Sequence, residues 1–506
     1  MADLSHNPTL GLRLDRGMEV PLFRQISQGI RRGILAGELK AGLHLPPERL
    51  LARALGVNRS TVLSAYRELK DEGLVEGHVG RGTWVLPSPS TTPQPPSAWQ
   101  PSPGPRLSAI SDPLIRDLLD SENPDTVSFA LGVPAPELVP VQSLAEILAR
   151  LPAEVGNELA LHSPTEGVPA LREALAGYLE ERGIPALPRE VLITAGSQQG
   201  LDLVARVFLA AEDTVLVEEP TYLGALQVFR RAGVRLVGVP VDEEGLQVET
   251  LEPILARVRP RLLYTQPTFQ NPTGAQMSLP RRKRLLELAG RHQLPILEED
   301  VYGDIRYEGP TLPSLRALDS SGQVLQVGSF SKTLCPGLRI GWLNGPASAI
   351  RQLAVARQTV DLHTATMNQW VVQRFLSEGL LTRHVEKIRP EYAARRNALL
   401  EALAPLARLG LSWTRPQGGY YVWCRLPDDI PLPRLAAEAA REGVAFLPGT
   451  VCSADGSTTR HLRLNFTALP PERLREGVAR LFRALQAARS QHREGKIQGE
   501  THQPLI

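Results

Sequence analysis

Residues 324–343 read VLQVGSFSKTLCPGLRIGWL. Two apolar runs of strand length, VLQV and LRIGWL, flank a polar turn that carries one lysine, Lys332, with Arg339 seven residues further on. Runs of this kind recur upstream: VLIT (191–194), TVLV (214–217), VRLVGV (234–239), RLLYT (261–265) and PILE (295–298). They are short and continuously apolar, as strands buried on both faces are. Helical patterns such as GLDLVARVFL and PRRKRLLELAGRHQ lie between them. The alternation predicts an α/β fold with a mostly parallel sheet covered on both sides. Ligands of such sheets collect beyond the carboxyl ends of the strands. The polar turns after these runs are therefore where chemistry is expected.

With 506 residues the chain is too long for one ordinary domain. Residues 87–105, PSPSTTPQPPSAWQPSPGP, hold eight prolines and no charged side chain. Proline fixes φ and removes donors, so an extended linker is expected over 88–106, on the order of 60 Å long if wholly polyproline II. It separates a head, 19–87, from a body, 107–488. The polar, aperiodic residues 489–506 are expected to fray. A hydrophobic share of 42% with 22% charge fits a soluble globular chain. No run approaches the length that crosses a bilayer, and the N-terminus MADLSHNPTLGLRLDRG has no apolar secretory core. Cys335, Cys424 and Cys452 are widely spaced and odd in number. They suit neither a disulfide framework nor a metal site, which points to a reducing cytoplasm.

The head, counted over residues 1–86, has twelve basic against nine acidic side chains, a balance of +3, and the remainder of the chain sums to −1. In PLFRQISQGIRRGILAG (21–37), Leu22, Ile26, Ile30 and Ile34 recur every fourth residue, the stripe of an amphipathic helix. Next, Pro47 opens a short helix, ERLLARAL, that Gly56 stops. Asn58 precedes a second, RSTVLSAYRELKDE, with Val62, Tyr66 and Leu69 on one face and Arg59, Ser60 and Thr61 in the exposed first turn. Two helices about a glycine turn form a helix-turn-helix, and LVEGHVGRGTWV reads as two strands of a wing. A helix that enters the major groove offers its first turn to base edges, where arginine can grip guanine with two hydrogen bonds. The stretch LPPERLLARALGVNRSTVLSAYRELKDEGLVEGHVGRGTWV (45–85) resembles, nearly end to end, the winged helix-turn-helix of GntR-type transcription regulators. That resemblance implies DNA contacts by Arg49, Arg59, Ser60, Thr61 and the wing residue Arg81. It departs at Leu63, where such regulators often carry an arginine or a polar residue.

Five polar motifs follow the body's apolar runs. AGSQQ follows VLIT and opens a helix, so amides at Gly196, Ser197 and Gln198 could cradle a phosphate or simply cap the helix. EEPTY sets Tyr222 after TVLV. RLLYTQPTFQNPTG ends on Asn271 between good turn residues. PILEEDVYGD brings Asp300 and Tyr302 past a buried strand, where an acid needs a cation or water. The opening stretch supplies Ser329, Ser331, Lys332 and Arg339. A planar phosphorylated aldehyde needs a phosphate cradle, a stacking ring, donors for its phenolic oxygen, an amine and an acid for its ring nitrogen. One candidate for each is present.

Over residues 107–488 the body resembles the fold-type I, pyridoxal-phosphate-dependent aminotransferases, which have a smaller C-terminal α/β subdomain. The matching motifs are FALGVPAPELVP, SPTEGVPALREALAGYL, AGSQQGLDL, EEPTYLGAL, QPTFQNPTG, EEDVYGDI, GSFSKTLCPGLRIGW and PQGGYYVW. Head, linker and body in this order resemble the MocR subfamily of GntR regulators. The resemblance implies that Lys332 carries pyridoxal phosphate covalently and that Arg339, on the following strand, pairs with its phosphate. Ser197, Gln198, Ser329 and Ser331 would complete the phosphate cradle. Asp300 would face the ring nitrogen, Asn271 and Tyr302 the phenolic oxygen, and Tyr222 would stack. Arg463, in HLRLNF, would clamp a substrate carboxylate. Relatives reach the partner subunit's phosphate with a tyrosine five residues before the glycine of SPTEG, and here His162 stands in that place. The implied function is a homodimeric, head-to-tail, DNA-binding regulator that senses pyridoxal phosphate or an amino acid or amine. The alternative is a working aminotransferase with an oxo-acid acceptor and a DNA-binding head.

Overall fold

The computed structural model describes residues 9–10, 12, 14, 21–35, 39–71, 73–78, 82–86, 125–457 and 460–500, with backbone alone at 35, 71 and 78 and over 491–500. The expected linker and the wing residue Arg81 lie outside the described residues. The described chain forms two compact units, divided at Ser102.

In the first unit α1 (Leu22–Leu35) packs against α2 (Glu48–Leu55) and α3 (Arg59–Asp71), beside strands β1 (His44–Leu45), β2 (Val75–His78) and β3 (Gly82–Val85). The strands lie in the order β1-β3-β2 and are antiparallel. The every-fourth-residue stripe Ile26, Ile30 and Ile34 is buried against Leu51, Val62, Tyr66 and Leu69, so the periodic faces meet as expected. Gly56 ends α2 at φ 64°, where its N–H reaches back to Ala52 and Arg53 carbonyls. A side chain would be strained there, and the left-handed residue turns the chain into α3.

The second unit is built on an eight-stranded sheet with the order β5-β12-β11-β10-β9-β6-β7-β8. Its strands are β5 (Val191–Thr194), β6 (Thr214–Glu219), β7 (Arg235–Asp242), β8 (Gly245–Leu246), β9 (Leu262–Thr265), β10 (Ile296–Glu299), β11 (Val324–Ser329) and β12 (Gly341–Asn344). The central pairs are parallel, whereas β12 runs antiparallel to both of its neighbours. Every residue of β5, β9, β10 and β12 is buried, the two glutamates of β10 included. Helices Ser197–Phe208, Leu223–Ala232 and Ala347–Gln358 cover one face and Leu279–His292 the other.

Two boundaries differ from expectation. The run LRIGWL is only half strand, because Pro336–Leu338 forms a tight turn and Arg339 follows at φ 52°. Arg339 therefore sits in the loop before β12 and not on the strand. The polar residues from 489, expected to fray, continue the last helix, Pro471–Glu500. Arg489 anchors that helix to the Leu409 carbonyl and to Asp429.

A second, antiparallel sheet has the order β13-β14-β17-β16, from β13 (Ser412–Trp413), β14 (Tyr421–Arg425), β16 (Leu447–Pro448) and β17 (His461–Asn465). It shares one apolar core with helices Leu380–Leu403, Leu432–Arg441 and Pro471–Glu500. This is the smaller α/β subdomain, and its strand β17 carries Arg463.

Candidate functional site

A cavity of about 560 Å³ opens beyond the carboxyl ends of the large sheet's strands. Ser197, Gln198, Tyr222, Asn271, Tyr302, Ser329, Ser331, Lys332, Arg339 and Arg463 all line it. Residues singled out far apart in the sequence thus share one wall, because parallel strands deliver their following turns to the same edge.

Lys332 follows β11, and its Nζ donates to the Gly132 carbonyl at 2.6 Å. Burial, aided by Arg463 and Arg339, holds its pKa below the ordinary lysine range against the pull of Tyr421 and Glu299. A lowered pKa keeps more of the amine unprotonated, the form that attacks a carbonyl. Tyr420 donates to the Lys332 carbonyl at 2.6 Å and fixes the backbone there. Beside it the Ser329 hydroxyl bonds that of Ser331 at 2.8 Å. Arg339 donates to the Ala195 carbonyl at 3.0 Å and crosses Gly196, where a Cβ would meet its guanidinium at 2.6 Å. Only glycine, at φ +86°, lets the arginine lie against the start of helix Ser197–Phe208. Guanidinium, serine hydroxyls and a helix N-terminus together form an anion cradle.

At the other end Arg463 donates to Asn271 Oδ1 at 2.9 Å and to the Ala130 carbonyl at 2.7 Å. It stacks 4.1 Å from the Tyr421 ring centre. Its Nε is buried without a hydrogen-bond partner, and its guanidinium lines the cavity. Tyr302 and Tyr421 share a hydroxyl contact of 3.0 Å. The Tyr222 hydroxyl donates to Gln198 at 3.2 Å.

Two expected residues are not in this cavity. Asp300 lines a separate cavity of about 80 Å³ with Tyr178, Arg182 and Asp304, and it accepts from the Gly303 N–H at 2.9 Å. The acid that does line the site is its neighbour Glu299. Successive strand side chains point to opposite faces, so within the run Glu298-Glu299-Asp300 only the middle acid faces the ligand. Glu299 accepts from Gln266 at 2.8 Å and from the Tyr264 hydroxyl. Burial pushes its carboxyl up, against the pull of Tyr264, Gln266, Ser197 and Lys332. His162 is exposed, with Nδ1 2.8 Å from His363 Nε2. Also not singled out beforehand were Ala130, Gly132 and Tyr421 in the cavity wall and Tyr420 beside Lys332. Their motifs, FALGVPAPELVP and PQGGYYVW, were noted without roles.

In the head, Arg49, Arg59 and Ser60 are exposed and Thr61 is half-buried. Arg59 is not free: its Nε lies 3.0 Å from Glu48 Oε2.

The aminotransferase class I and II family profile matches residues 125–481, and that of bacterial regulatory proteins, gntR family, matches residues 22–85. The probable rhizopine catabolism regulatory protein MocR of Rhizobium meliloti is 31% identical, over 95% of this chain and 97% of its own. The chain belongs to the MocR-type regulators of the gntR family. Its aminotransferase half is also 40% identical to aromatic-amino-acid aminotransferase 1 of Thermococcus litoralis, over 74% of this chain and 91% of that one. Among solved structures, LysN, the α-aminoadipate aminotransferase of Thermus thermophilus, complexed with N-(5'-phosphopyridoxyl)-L-leucine, superposes with a TM-score of 0.71. It is 41% identical and covers 76% of this chain and 97% of its own. The MocR-type chain is thus a DNA-binding regulator fused to an aminotransferase-like body, and its cofactor is pyridoxal phosphate. The cavity fits that group: it offers an amine of lowered pKa, an anion cradle, a buried acid and a buried guanidinium. Among the described residues no helix is long and apolar enough to cross a membrane.

Proposed function

We propose that the body senses pyridoxal phosphate together with an amino acid or amine that reacts with it, and that this changes how the head holds its operator. The observation that carries the reading is Lys332, Arg339 and Glu299 around one cavity in a chain that also bears a helix-turn-helix. Lys332 would hold the cofactor covalently. Ser197, Ser329, Ser331 and Arg339 would take its phosphate, and Gln198 would hold Tyr222 flat for stacking. Glu299 would stand behind the ring nitrogen in place of Asp300. Asn271 Oδ1 is occupied by Arg463, which leaves its Nδ2 to donate beside Tyr302 to the phenolic oxygen. Arg463 would take a ligand carboxylate through the terminal N–H groups it keeps beyond its bonds to Asn271 and Ala130. When bound, the cofactor supplies an electron sink for bonds at the ligand's α-carbon. A twofold pair of copies would present two heads, so an operator with two half-sites is implied.

The same cavity supports a second reading, catalytic turnover, because an amine of lowered pKa can shuttle a proton at the ligand's α-carbon. Steady turnover with an oxo-acid acceptor would establish it. A single half-reaction with altered DNA affinity supports the sensor. The founding test is borohydride reduction of cofactor-saturated protein with peptide mapping. A pyridoxyl tag on Lys332, with the visible absorption band lost in Lys332→Ala, is the expected result. An untagged digest would end the proposal.

A further inference from the structure

The cavity has a side that neither the cofactor nor a carboxylate would occupy, and it is made of leucine. Leu447 on β16 stands directly across from Arg463 on β17, and cross-strand partners share a face. Leu131 follows Ala130, whose carbonyl receives Arg463. Leu223 follows Tyr222, the ring expected to stack. All three leucines line the cavity. Leu223 and Leu447 pack in one cluster with Trp423, Val451 and Cys452, so this wall has a solid backing. Leu131 remains 36% exposed, apolar surface at the cavity that a bound ligand would cover. Gln227, half-buried, also lines the cavity.

The cations are already committed. Among the described residues that line the cavity they are Lys332, Arg339 and Arg463. Lys332 is the attachment point, Arg339 lies in the anion cradle, and Arg463 keeps terminal N–H groups beyond its bonds to Asn271 and Ala130 for an α-carboxylate. A second carboxylate on the ligand's side chain would meet leucine with no cation left to pair it. Burying an unpaired charge there is unfavourable. A ligand without an α-carboxylate would leave the buried Arg463 guanidinium with no anion to pair it.

We infer that the ligand read by this cavity is an α-amino acid whose side chain is uncharged and mainly apolar, seated on Leu131, Leu223 and Leu447 with its carboxylate on Arg463. This deepens the sensor proposal and rests on it. Full-length protein loaded with pyridoxal phosphate is titrated with L-leucine, L-phenylalanine, L-glutamate, L-2-aminoadipate and 4-aminobutyrate. Cofactor absorbance and the shift in melting temperature are both followed. Leucine or phenylalanine should half-saturate at a concentration at least tenfold lower than the two diacids and 4-aminobutyrate. Leu447→Arg should cut that preference at least tenfold and favour the diacids. Leu131→Lys, at a more exposed position, should act in the same direction and covers the case in which the first variant does not fold. Diacids or 4-aminobutyrate binding as tightly as leucine would overturn the inference. So would an intact cofactor band that no amino acid perturbs, and in that case the cofactor assignment survives. No cofactor band at all would remove the sensor proposal, and this inference with it.

Discussion

Lys332 and Glu299 show how far single residues can be read. An amine in a polar turn after an apolar run, with an arginine beyond it, marks Lys332 and Arg339 only together with the other polar motifs of the body, and both line the one cavity. The acid that lines the cavity is one residue from the expected Asp300, and in a strand one residue is the difference between two faces of a sheet. Nothing local separates Glu299 from Asp300. What does is the partners of Glu299, Tyr264 and Gln266, which come from β9 and the turn after it. The placement has a direct consequence. Glu299→Gln removes a charge-assisted partner, so affinity for pyridoxal phosphate should fall roughly tenfold to a hundredfold, the worth of a hydrogen bond to a charged group. Asp300→Asn keeps an oxygen for the Gly303 N–H and relieves repulsion from Asp304, part of what raises the Asp300 pKa after burial itself. It should leave cofactor affinity within about threefold, since Asp300 lines a different cavity. Equilibrium titration of the two variants against the parent decides the assignment. A larger loss in the Asp300 variant would return the role to that residue.

Elements were legible where one physical period dominates. Helix α1 follows from isoleucines four apart, and the buried strands from unbroken apolar runs. Legibility failed where a turn interrupts an apolar run, as Pro336 and Gly337 do before β12. It failed again where polar composition hid a helix, as in the residues from 489 to Glu500. The wall leucine Leu447 had no signal at all, because only the pairing of β16 with β17 sets it beside Arg463. In the head, the contact between α2 and α3 adds something the pattern lacked. Glu48 in the first turn of α2 holds Arg59 at the start of α3 through an exposed ion pair. Such a pair is worth at most about 1 kcal/mol of stability, so Glu48→Gln should melt within a few degrees of the parent. Its effect should appear in DNA binding. An arginine held in one direction discriminates among bases, and a released one finds any phosphate. Glu48→Gln should therefore lower the ratio of specific to non-specific affinity several-fold while raising non-specific binding. Arg59→Ala should lose about 1–3 kcal/mol at one base pair and relax the preference there. Binding to randomised operators at two salt concentrations tests both, and an unchanged base preference in the two variants would make the pair a plain surface contact.

At the scale of the whole molecule, the assembly with a second copy bears on His162. Of two histidines in contact, hydrogen bonding fixes which nitrogen carries the proton. His363 Nδ1 lies 2.9 Å from the Thr364 carbonyl, so it must be the donor there. That leaves His363 Nε2 as an acceptor, and it takes the proton of His162 Nδ1 at 2.8 Å. Neutral His162 is then left with a bare Nε2, which cannot donate to an anion. Protonated His162 keeps the bond to His363 and gains both a charge and an Nε2–H to offer. If a second copy brings its phosphate cradle to this surface, as the tyrosine of relatives implies, His162 should help hold cofactor only as imidazolium. The nearest acid along the chain from His363 is Asp361, whose carboxylate is taken by Gln199 and Arg357. The His363 backbone N–H donates to the Asp361 backbone carbonyl instead. The phenol of His162→Tyr always has an O–H to donate, so that variant should hold the cofactor several-fold more tightly than the parent in equilibrium titrations under one buffer condition. His363→Phe should act in the same direction, because Nδ1 of His162 no longer has to face an acceptor and neutral His162 can offer an N–H to the phosphate. Equal cofactor affinity in the parent and in both variants would detach this surface from the cofactor.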